Sequence, residues 1–121
     1  MSEDQINKEG REYSRPWGSY ITLKMAPGYQ IKIITVNPGG VLSLQKHHHR
    51  SEHWIVIQGS PTCTVGESKK IHTIGDHLFI EIEQIHRLEN HSDIPAKIAE
   101  VQLGDYLGED DIVRLEDIYN R

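Results

Sequence analysis

Residues 39–59, GGVLSLQKHHHRSEHWIVIQG, crowd four histidines, a glutamine, a glutamate and an arginine between two strand-like segments. Extended backbone through residues 41–49 alternates its side chains, placing Gln45, His47 and His49 on one face and Lys46 and His48 on the other. Three ligand-capable groups aimed one way point to a metal ion, with Glu52 just past the strand. Imidazole, carboxylate and amide oxygen together suit a borderline divalent ion and leave a position for water or substrate. A further ligand has to arrive from a distant strand, as closure of a barrel allows. His86, in the apolar setting of Ile85 and Leu88, is the residue for it. For His72, His77 and His91 the ordinary reading of a strand histidine holds, a hydrogen-bonded or surface side chain.

Outward from this stretch the chain reads as short strands. Upstream, residues 19–24 and 29–36 are rich in β-formers and are separated by Pro27 and Gly28. In the second, Lys32, Ile34 and Val36 share one face and Ile31, Ile33 and Thr35 the other, so both faces expect a packed layer. Downstream, residues 54–58, 62–65, 70–74, 77–82, 85–89 and 96–103 follow, punctuated by Gly59, Gly66, Gly75 and the turn at residues 90–95. With residues 41–46 this makes about nine strands, the pattern of an all-β sandwich or barrel. Only the tail departs: an aspartate cap at Asp110 or Asp111 predicts a short C-terminal helix with Ile112, Leu115 and Tyr119 on one side.

At 121 residues the chain suffices for one core. Residues 1–14 offer little to bury and read as a flexible arm, leaving 15–121 as one domain. Thirteen basic against eighteen acidic residues, with no basic run beyond Lys69 and Lys70, argue against a nucleic-acid surface. The acidic N-terminus is unlike a signal peptide, and no apolar run is long enough to span a membrane. The lone cysteine, Cys63, reads as a small buried apolar residue of a reducing, cytoplasmic setting.

The spacing of the central stretch resembles a known signature. Gly39, five residues, Gln45, one residue, His47, four residues, Glu52, six residues and Gly59 are followed by Gly75, ten residues, His86, three residues and Asn90. These intervals resemble the two halves of the cupin signature, with Gln45 where the first histidine usually stands. The resemblance implies a cupin double-stranded β-helix, a jelly-roll barrel with one metal near its mouth. Glu81 and Glu83 replace a usual proline and glycine, which predicts an altered turn before His86. A neutral oxygen at Gln45 favours Lewis-acid zinc over redox iron.

A narrower resemblance covers most of the chain: RPWGSY at 15–20, VNPGGVLSLQKHHHRSEHWIVIQG at 36–59, HRLEN at 86–90 and EVQLGDYLGEDDIVRLEDIYNR at 100–121. These are similar to type II mannose-6-phosphate isomerase, specifically to its C-terminal cupin domain, commonly fused to a mannose-1-phosphate guanylyltransferase. No nucleotide-binding loop is visible, so that second activity is not expected here. The resemblance implies interconversion of mannose 6-phosphate and fructose 6-phosphate through an enediol, with one divalent ion polarising the carbonyl and its neighbouring hydroxyl. By position in the signature, the metal falls to Gln45, His47, Glu52 and His86. For the base, His49 and Glu100 both qualify by strand parity, with ligand orientation and arginine pairing as their competing roles. Arg50, Lys32 and Arg114 are the cations for the phosphate. A homodimer is expected, and the alternative function is a non-catalytic cupin that binds a sugar or sugar nucleotide.

Overall fold

The computed structural model describes residues 8–119, and its regular elements are all strands. Eleven are formed: β1 (Glu12–Arg15), β2 (Gly18–Ala26), β3 (Tyr29–Val36), β4 (Leu44–Lys46), β5 (Arg50–Gln58), β6 (Thr62–Val65), β7 (Ser68–Ile71), β8 (His77–Ile80), β9 (His86–Glu89), β10 (Ala96–Gly104) and β11 (Val113–Glu116). One sheet runs β1-β2-β3-β10-β5-β8 and the other β11-β4-β9-β6-β7, every pairing antiparallel. The two sheets face each other as a jelly-roll barrel, the all-β class expected. No helix among the described residues is long and apolar enough to cross a membrane.

Register explains why one end of the barrel is greasy and the other polar. On the inner face of the larger sheet, Val36 lies opposite Ala96, and Ile98 lies between Ile34 and Val56. Next along, Glu100 lies between Lys32 and Trp54, and then Gln102 between Gln30 and Glu52. The apolar rows join Tyr13, Trp17, Tyr20, Leu42, Cys63, Leu78, Ile80 and Leu88 in one core. Burying each large aliphatic or aromatic chain there stabilises the fold by about 1.5–3 kcal/mol. The polar rows, which need hydrogen-bond partners when buried, face a cavity at the other end.

Three expectations change. The tail is not helical: residues 113–116 form β11 and pair with β4, with Val113 opposite Lys46 and Arg114 opposite Gln45. A short isolated helix gains little in water, whereas β11 satisfies the backbone groups of an otherwise open edge. Tyr119 still reaches the core and accepts a hydrogen bond from the Val41 N–H at 3.3 Å. Order also begins upstream of Arg15, since β1 pairs with β2 and Tyr13 is buried and stacked on Tyr20, their ring centres 5.1 Å apart. The rest of the expected arm, residues 1–7, lies outside the described residues. Finally, Ile31, Ile33 and Thr35 on the outer face of β3 are only half-buried, without a second layer among the described residues.

Two glycines test the backbone argument. Gly18 has φ +152°, and a Cβ there would meet the Thr35 carbonyl oxygen at 2.0 Å; Gly28 has φ +89° with open space around it. Gly28→Ala is expected to cost about 1 kcal/mol, from backbone strain alone. Gly18→Ala, which must also force two strands apart, is expected to cost several times more. Urea denaturation of the two variants measures both.

Candidate metal centre

Strand alternation along β5 turns Arg50, Glu52 and Trp54 inward together, all buried. Glu52 uses both oxygens: Trp54 Nε1 donates to Oε1 at 2.8 Å and Arg50 Nε to Oε2 at 2.8 Å. Against the penalty of burial, Arg50, then His86 and His47, hold the Glu52 carboxyl well below the usual carboxylate range. It is an anion in the wall of the cavity.

Two histidines converge on this anion. His47 Nε2 lies 3.3 Å from Glu52 Oε2, and His86 Nε2 lies 3.9 Å from Oε1. Each ring is oriented from behind. His47 Nδ1 bonds the Asp111 carbonyl at 2.6 Å, and His86 Nδ1 bonds the Gln84 carbonyl at 2.9 Å. A carbonyl only accepts, so both Nδ1 atoms carry a proton, and Nε2 is the atom each neutral ring offers as a lone pair. Burial first, and Arg50 next, push His47 down to about 4, which keeps it neutral near pH 7.

The donor set fits a divalent ion. One ligand atom each from His47, Glu52 and His86 lie within 4.8 Å of one another, all three residues being buried. His86 Nε2 is buried with no hydrogen-bond partner, an arrangement that costs free energy unless something accepts its lone pair. Gln45 is cross-strand from His86 and lines the same cavity, but its Oε1 accepts from Ser43 Oγ at 2.7 Å. Arg50 Nη2 meanwhile contacts His47 Nε2 at 3.2 Å, so a guanidinium holds one of the lone pairs an ion would use.

The remaining sequence-derived residues separate clearly. His49 does not share the inward face of His47. Extension stops at Lys46, and the Asp111 carboxylate accepts the backbone N–H groups of His48 and His49 at 2.9 and 3.0 Å, bending the chain and breaking the alternation. The His49 side chain is half exposed, 3.5 Å from Asp105, with its ring edge against Tyr106. Glu100 is inside, 3 % exposed, accepting from Gln102 Nε2. Burial first, then the Glu52 charge, push it up to about 8. Lys32 is inside as well, its ammonium 4.6 Å from the centre of the Tyr20 ring and paired with Glu109. Arg114 is exposed and lines the mouth, together with Arg15.

The cavity measures about 610 Å³. Among its lining residues, Glu109 was not singled out from sequence. It lies in the irregular segment between β10 and β11, where no periodicity shows which way a side chain points. Against burial, Lys32 and then Arg50 hold its carboxyl below the ordinary value.

Glu100 yields a stability test on metal-free protein. Between the ordinary carboxyl value of 4.5 and about 8, the folded state keeps a proton that the unfolded chain has lost. Stability therefore falls as pH rises through that window. Glu100→Gln, neutral throughout, is expected to flatten the decline by an amount on the order of kcal/mol, read from urea midpoints at about pH 5 and about pH 8.

Comparison with known proteins places this geometry in a family. A family model described as mannose-6-phosphate isomerase C-terminal matches residues 2–117. The alginate biosynthesis protein AlgA of Pseudomonas syringae is 49% identical over 96% of this chain and 26% of its own length. The xanthan biosynthesis protein XanB of Xanthomonas campestris is 50% identical over 92% and 24%. A mannose-1-phosphate guanylyltransferase of Klebsiella pneumoniae is 44% identical over 94% and 24%. The chain thus spans about a quarter of the length of these relatives. The fold is shared more widely. A Klebsiella pneumoniae protein with a double-stranded β-helix domain superposes with a TM-score of 0.71 at 17% identity, covering 95% of this chain and 93% of that one. The capsular polysaccharide assembling protein CapF of Staphylococcus aureus gives 0.75 at 16%, covering 88% and 34%. Those two likenesses speak to the cupin fold alone, but the family-wide match does more: this chain belongs to the mannose-6-phosphate isomerase C-terminal family.

Proposed function

We propose that the protein is a metal-dependent sugar-phosphate isomerase that interconverts mannose 6-phosphate and fructose 6-phosphate. The observation that carries this reading is a buried His47, Glu52 and His86 group whose Glu52 lines a cavity together with two inward cations, Lys32 and Arg50. The donor set suits zinc, with Gln45 turning from Ser43 as a fourth ligand. Bound there, the ion would polarise the substrate carbonyl and neighbouring hydroxyl.

The protein's own residues supply the rest. Lys32 and Arg50 offer positive charge inside the cavity, and Arg114 stands at the mouth for the phosphate. Glu100, neutral at pH 7 and fixed by Gln102, serves as proton donor to the sugar oxygen. The apolar rows beneath the cavity keep water from approaching from below. A reducing, cytoplasmic site of action is in keeping with the single buried thiol of Cys63, which burial, then Asp76 and Glu89, push up to about 12.

The expected homodimer has a surface to use. On the outer face of the larger sheet, Ile21, Ile33, Ala99 and Ile55 form a continuous cross-strand row. Leu23, Ile57, Phe79 and Leu103 beside it are all 42% exposed or more. A second copy turned by a two-fold axis would cover apolar with apolar.

Purified protein is expected to carry about one divalent ion per chain by elemental analysis and to turn mannose 6-phosphate into fructose 6-phosphate. Chelation is expected to stop turnover, and His86→Ala to lose both ion and activity. Absence of turnover with every divalent metal tried overturns the isomerase reading in favour of a binding module. For the dimer, Ile55→Glu is expected to halve the mass measured by light scattering without loss of the fold.

A further inference from the structure

Four carboxyl groups line the cavity, Glu52, Glu100, Glu109 and Asp110, and their surroundings give them different capacities to accept a proton. Glu52 has both oxygens engaged, by Trp54 and Arg50, and belongs to the candidate metal group. Glu100 sits in the strand wall, 3% exposed, and accepts from Gln102 Nε2. Asp110 accepts from the Tyr106 hydroxyl and is exposed at the rim. Glu109 differs from all three. Its side chain is 23% exposed, it is ionised, and it contacts the Lys32 ammonium from across the cavity.

Placement adds to charge. Lys32 is the cross-strand neighbour of Glu100, so Glu109 and Glu100 flank the same row of the inner face, one row from Glu52. The Lys32–Glu109 pair is also the displaceable one. Arg50 and Glu52 are two residues apart on β5, whereas Glu109 comes from an irregular segment 77 residues beyond Lys32. A sugar oxygen near the reacting carbons that recruits Lys32 frees the Glu109 carboxylate beside it, with the C6 phosphate left to Arg15 and Arg114 at the mouth.

We propose that Glu109 is the catalytic base of this site, the carboxylate that moves the carbon-bound proton between C2 and C1 of the sugar. This rests on the isomerase reading above. In the forward direction Glu109 removes the proton from C2 of the open-chain aldose, and the C–H electron pair becomes the C1=C2 bond. The carbonyl oxygen on C1 takes a proton from Glu100, completing the enediol. Glu109 then returns its proton to C1, while the C2 hydroxyl gives its proton to Glu100 as the C2 ketone forms. Every proton is returned and no further reactant is consumed.

The test is steady-state kinetics of the metal-loaded protein combined with isotope exchange. Glu109→Gln is expected to keep wild-type metal content and to lower kcat by about 100-fold or more, with KM changing less than kcat. In deuterium oxide it is expected to lose the label that wild type incorporates at C2 of recovered substrate. Formate is expected to restore part of the rate to Glu109→Ala, which a merely structural role would not allow. An E109Q variant with wild-type kcat, or with an effect confined to KM, overturns the assignment and leaves Glu109 as a partner for Lys32. So does an E109A loss that formate does not relieve. Inactive wild type overturns the isomerase reading and this assignment together, whereas active wild type with unimpaired E109Q overturns the assignment alone.

Discussion

A carboxylate that is 1% exposed has no water to solvate it, and Glu52 stays ionised because donors of the protein take the place of that water. Two of those donors are built into its own strand. Arg50, Glu52 and Trp54 fall on one face by simple alternation, so forming β5 also assembles the guanidinium, carboxylate and indole contacts. Removing one member of such a buried pair strands the other, at a cost of about 3–5 kcal/mol. Arg50 therefore balances charge before it does anything else. Its contact to His47 Nε2 means that an arriving ion competes with a cation already in place, and metal entry has to release the Nη2 group toward the cavity.

The rest of the barrel is arranged so that this charge can exist without flooding the interior. Antiparallel register carries Gln30, Gln102 and Glu52 into one row, and Lys32, Glu100 and Trp54 into the next. The rows beyond are wholly apolar, from Ile34, Ile98 and Val56 to Val36 and Ala96. Slipping any strand by one residue would send its inner set to the outside, so burial of the apolar rows fixes the polar ones as well. The energy that holds the site in shape comes largely from the apolar end. Chemistry and stability thus occupy opposite ends of the same strands.

Much of this was legible in the sequence because it depends on local periodicity. Alternation marked Lys32 with Ile34 and Val36 as one face, and spacing singled out His47, Glu52 and His86, which the fold does bring together. The failures have a common cause: a partner distant in sequence decides the local conformation or the reach of a side chain. Alternation turns His49 inward only if residues 47–49 are extended, and the bend there is imposed by Asp111, some sixty residues away. The apolar spacing of the tail is that of a helix, and the open edge of β4 overrides it. Glu109 carried no pattern at all. Only the closed barrel shows that it reaches Lys32.

The turn before His86 is held by the same long-range logic. Glu83 has left-handed backbone at φ +69°, a conformation that costs a side-chain-bearing residue about 1 kcal/mol or more. The strain is held from the other side of the mouth: the Glu83 N–H donates to the His47 carbonyl at 2.8 Å, and its carboxylate contacts His48 Nδ1. Asp111 grips this pair and His49 as well, setting the His47 ring with its carbonyl and the 48–49 backbone with its carboxylate. The bend at 47–49 is therefore clamped between two segments that have no strand pairing of their own there. One of those segments also carries Glu109 into the cavity, two residues before Asp111. Displacing it would disturb the His47 tautomer and remove a carboxylate from the site at once, which ties the order of an irregular loop to the chemistry the barrel can perform.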